Sequence, residues 1–91
     1  MEDRRARIEA RLREVLAATH VHVVDESHHH AGHTGAAAGG GHFRALVVSP
    51  RFDGSSPVER QRLVYAALDA EMGSEIHALS LKTLAPKEWS G

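Results

Sequence analysis

Ser56-Pro57-Val58-Glu59 is the stretch that constrains this chain most. The Ser56 hydroxyl can accept from the backbone N–H of Glu59, and the Glu59 carboxylate can reach back to the N–H of Ser56. Pro57 suits the first helical position, so a helix starts here. Val64, Leu68 and Met72 continue it as an apolar stripe with Leu63 and Ala67 alongside, and Gly73 is a natural C-cap. Before the helix, "HFRALVVS" is apolar at both parities from Ala45 to Val48, the pattern of a central or buried strand. After it, "EIHALSLKTL" reads as another strand until Pro86 stops it. Two strands joined through a helix are expected to lie parallel, linked by a right-handed crossover.

Upstream, Ile8, Leu12, Val15 and Leu16 recur at helical spacing, with Glu2 and Asp3 at the favourable N-terminal end. In "THVHVVDES", Val21 and Val23 alternate with His20, His22 and Val24, and the β-branched residues favour a strand antiparallel to the next. Between them, residues 28–41 carry no periodicity and little to bury, so they are expected to be the least ordered internal segment. "PRFDGSS" reads as a turn. The expected order is α-β-β-α-β. Helices lie near residues 3–18 and 57–71, and strands near 20–26, 42–49 and 75–83. This is a two-layer α+β domain of KH-like type (class II), a three-stranded mixed sheet covered on one face by helices. One domain spans 1–91, with a tail at 86–91, Trp89 included, expected to be loosely held. "GHTG" at Gly32 to Gly35 has the letters of a KH backbone-gripping loop. It falls between strands rather than between helices, so it carries no weight.

Ninety-one residues bury too small a core to wall off a deep substrate pocket. A net charge of −1 and a pI near 6.7 argue against a broad basic face for nucleic acid. With no cysteine, the chain can neither form a disulfide nor supply thiolate sulfur to a metal. The charged N-terminus is not a secretory leader and "LVYAAL" is too short to span a membrane, so a cytoplasmic protein is expected. No nucleophile–base constellation or phosphate loop appears, and Glu71 and Glu75 do not suggest paired-carboxylate catalysis, so no enzymatic activity is expected.

The histidines stand out. His28, His29, His30 and His33 crowd one Ala/Gly-rich stretch, and adjacent imidazoles cannot all meet one ion. Such a stretch binds added nickel or zinc weakly whatever its role. His77 shares strand parity with Leu79 and Leu81, which taken alone suggests a partly buried core histidine. His20, His22 and His42 read as ordinary strand positions. Arg51, Arg60 and Arg62 form a local basic group, either a solvated helix face or a contact for phosphate or for a carboxylate.

In order along the chain, "DESHHHAGH", "HFRALVVSPRFDG", "SPVERQRLVYAAL" and "EIHALSLKTLAPKEW" resemble the BolA family over nearly the whole length. That family shows an acidic-Glu-Ser-His opening, a His-Phe start to strand two, an Arg-His-Arg core in the helix and a His-Ala-Leu in strand three. The chain departs from it at Gln61, which stands between Arg60 and Arg62 where histidine is usual. The resemblance implies assembly with a monothiol glutaredoxin around a bridging 2Fe–2S cluster, in cluster trafficking or iron sensing. The partner would bring a cysteine and glutathione. This chain would bring His77 and a loop histidine, with His30 the leading candidate and His33 and His28 its rivals. The isolated chain, a monomer or weak homodimer, is expected to hold no cofactor alone. Two histidines can replace two cysteines on one iron, as in Rieske centres. The alternative implied by the resemblance is a DNA-binding transcriptional regulator of the stress or morphology type, acting through the helix-two region with Arg51, Arg60 and Arg62.

Overall fold

The computed structural model describes residues 4–26, 41–72 and 76–90. Five main elements follow in the expected order: helix α1 (Arg4–Leu16), strands β1 (His20–Asp25) and β2 (Gly41–Val48), helix α2 (Pro57–Ala67) and strand β3 (Ile76–Leu84). Two 3₁₀ turns, Pro50–Phe52 and Pro86–Glu88, flank the α2–β3 unit. Residues 28–40 lie outside the described residues, as do Glu2, Asp3, Gly73 and Glu75.

β2 is the central strand. It pairs antiparallel with β1, His20 opposite Val48 through Asp25 opposite Phe43, and parallel with β3. α1 buries Ile8, Leu12 and Leu16, one residue per turn of the same stripe. They pack with Val21, Val23, Phe43, Ala45 and Val47 from the sheet, and with Val64, Ala67 and Leu68. Val15, expected on the α1 stripe, is instead 38% exposed, because the buried face of the helix is narrow and Leu16 takes the core side of that turn. Phe52, expected only in a turn, is fully buried in the core.

The start of α2 follows the expectation closely: both hydrogen bonds of the capping box form, at 3.2 Å and 2.8 Å. Its end does not. Leu68 already leaves helical geometry (φ −103°, ψ 18°), and the Leu68 carbonyl takes the N–H groups of both Glu71 and Met72. The helix therefore ends at Ala67, before the expected residue 71. The next four residues tighten into turns, and Met72 forms a bridge beside Ile76.

Ser49 joins the layers. It is fully buried, its hydroxyl donates to the Leu16 carbonyl at 2.5 Å, and it accepts from the Arg51 N–H at 3.1 Å. The Glu9 carboxylate accepts from the Val23 N–H at 3.1 Å, so α1 satisfies an outward amide of the edge strand β1. α1 itself stops at Ala17, which sits at φ 53°.

Candidate functional site

Side chains alternate across a strand, so burial of Phe43, Ala45 and Val47 against the helices puts His42, Arg44 and Leu46 on the opposite, open face, at whose end Val48 is covered over. By register the same face carries His20, His22 and Val24 from β1, and Ala78, Ser80 and Lys82 from β3. A cavity of about 360 Å³ lies on it, lined mainly by His22, Val24, Arg44, Leu46, Lys82 and Trp89.

His77 reaches this face through an irregularity. Gly41 opposes Ile76, but the next residue, His42, opposes Ala78, so His77 is the extra residue of a β-bulge. Ile76 is buried, while His77 and Ala78 are both exposed. Simple alternation would have sent His77 to the helix side with Leu79 and Leu81. The bulge resets the parity at that point, and the buried-core placement suggested by the pattern is overturned. The His77 ring comes to rest beside that of His42, with centroids 5.4 Å apart and planes at 30°.

His42, expected to be an ordinary strand position, is thus the neighbour of His77. Its local pattern is that of any outward strand residue, and only the register across the bulge brings it to His77. His28, His30 and His33 lie outside the described residues. Among the described residues no group of three or more histidine, cysteine, aspartate or glutamate side chains gathers into a metal-holding set.

The three arginines do not share one role. Arg51 and Arg62 are exposed. Arg60 is turned inward: its Nε donates to the Ser55 carbonyl at 3.0 Å and one terminal nitrogen to the Thr83 carbonyl at 3.2 Å. It also grips the Glu88 carboxylate at 2.7 Å and 3.4 Å. Arg60, and then the Ala85 N–H, hold the Glu88 carboxyl below its ordinary range. This contact anchors the C-terminal tail, and Trp89 stacks on His20 with ring centroids 4.7 Å apart. On the open face, Arg44 pairs with Glu26.

The BolA-like protein family pattern matches residues 12–88. The DNA-binding transcriptional regulator BolA of Escherichia coli K12 is 39% identical over 87 residues, covering 96% of this chain and 80% of that protein. BolA-like protein 1 of Homo sapiens is 42% identical over 84 residues, which cover 92% of this chain but only 59% of the human protein. BolA1 from Arabidopsis thaliana superposes with a TM-score of 0.83 at 34% identity, 99% of each chain being covered.

Proposed function

This chain belongs to the BolA-like protein family, and from that membership we propose that it is a non-enzymatic, cytoplasmic adaptor that completes a 2Fe–2S site together with a monothiol glutaredoxin. The observation that carries the reading is the outward placement of His77 at the bulge. A strand fixes its Cα, and nothing but solvent access is needed for a partner's sulfur-held iron to approach it. The donor set fits the group only in part. With no cysteine in the chain, the sulfur ligands come from the partner and its glutathione, and this chain supplies neutral imidazoles. The cluster would supply electron transfer or a transferable cargo. The chain's own contribution is to fix His77 on a rigid strand and to present His30, or its rivals His28 and His33, from the segment that joins β1 to β2.

Mixing the protein with cluster-loaded glutaredoxin and glutathione and following visible circular dichroism tests this. The wild type should give a spectrum distinct from that of the glutaredoxin homodimer. His77→Ala should abolish the distinct spectrum while leaving the far-ultraviolet spectrum unchanged. A wild-type spectrum from His77→Ala would refute the role.

A second reading is favoured by one observation, the name of the Escherichia coli relative, a DNA-binding transcriptional regulator. For this chain the exposed Arg51 and Arg62 are the residues to reverse to glutamate, because Arg60 is committed to Glu88. Any such binding should be weak, with a shallow log–log salt slope of about −0.9 per phosphate contacted, since it draws on few phosphate contacts and a net charge of −1.

A further inference from the structure

We propose that His42 and His77 form a two-imidazole binding site for one borderline divalent ion, of the zinc, nickel or copper class, in the isolated chain. The site does not depend on any glutaredoxin partner. If a cluster is shared there, His42 is a strand-held imidazole available to it alongside the loop histidines.

The spacing carries the argument. A metal–imidazole nitrogen bond is about 2.1 Å, so the ion sits roughly 3.2 Å from each ring centre, and at a tetrahedral angle two such centres lie about 5.3 Å apart. The observed separation is 5.4 Å. The planes can turn about the terminal torsion, which is broad for histidine, while the backbone positions are held by paired strands. The bulge is the second observation. Bulges are uncommon between parallel strands and occur next to functional sites, where they re-aim a side chain. This one takes His77 off the helix side and sets it against His42. The residue opposite His42 in the ladder is the exposed Ala78, which carries only a methyl group. Imidazole donors select zinc, copper, nickel and iron over calcium and magnesium. Because no third ligand joins the pair among the described residues, the remaining positions on the ion are open to water or to a partner's donor.

The His-rich segment would mask the site, so the test starts from a parent in which His28, His29, His30 and His33 are all asparagine. Titrated with zinc and followed by calorimetry and by histidine ¹⁵N resonances, the parent should bind one equivalent, with the His42 and His77 resonances moving together. His77→Ala and His42→Ala should each weaken zinc binding at least tenfold, and His22→Ala should not. His42→Phe keeps a ring at the stack and removes the donor nitrogen, so it should lose zinc as His42→Ala does, which a purely structural histidine would not. Zinc binding that survives His42→Phe with the parent's affinity, or a parent that binds no zinc, overturns the proposal. Cluster assembly with glutaredoxin is scored separately, and its failure would leave the zinc result standing.

Discussion

Ser49 shows how much can rest on one small side chain. Its hydroxyl serves the last carbonyl of α1 and the first free amide of the 3₁₀ turn at once, with no solvent to replace it. Ser49→Ala should therefore cost about 1–3 kcal/mol, the range for a buried polar group left without its partner. Urea denaturation would read this as a lower midpoint at unchanged slope. Ala17 is the converse case. Its positive φ is a left-handed conformation at the end of α1 that glycine adopts without penalty. Ala17→Gly should stabilise the fold by roughly 0.5–1 kcal/mol, since the relief at positive φ outweighs glycine's greater unfolded freedom. A loss of stability would mean that the α1 terminus is not held there. Neither residue announces itself in the sequence: Ser49 and Ala17 acquire their roles from a carbonyl 33 positions away and from a backbone angle. His42 reads as an ordinary strand position for the same reason, its meaning lying in a ring on another strand.

Elements were legible where their signals are local. The capping box gave the start of α2 to the residue, and its contribution can be measured. Ser56→Ala should destabilise by about 1 kcal/mol, the usual value for losing an N-cap, seen as a lower thermal midpoint. The Glu59 carboxyl is held below 4.5 chiefly by the Ser56 N–H, so its contribution is complete above that pH and fades as pH falls further. The end of α2 had no such marker, because Leu68 continues the apolar stripe while its backbone departs from the helix. The order of strands and their directions followed from the alternation of element types. The bulge did not, since period-two reading assumes an unbroken ladder and has no sign for an inserted residue.

At the scale of the whole molecule, the tail returns across the sheet and is fastened at two points, Glu88 on Arg60 and Trp89 on His20. Trp89 is the only tryptophan, so its emission reports this docking directly. Glu88→Gln should shift that emission to the red while the helix signal persists. The same release should occur on acidification. The folded carboxyl titrates below the ordinary glutamate value of 4.5, so the contact is intact above that pH and is lost as pH falls through the lower folded value. Arg60, Lys87 and the Ala85 amide are the groups that face it. An emission maximum unmoved by either change would mean the fastening is not where the contacts put it. The other end of the sheet has a different consequence. There the Glu26 N–H meets the His42 carbonyl at 2.7 Å and closes the path between β1 and β2 before the intervening residues begin. Closing a connection costs only logarithmically more as it lengthens, about 0.6 kcal/mol for each doubling. The connection between those two anchors should therefore tolerate shortening or lengthening with little effect on folding, which a series of length variants followed by urea denaturation would show as nearly constant midpoints.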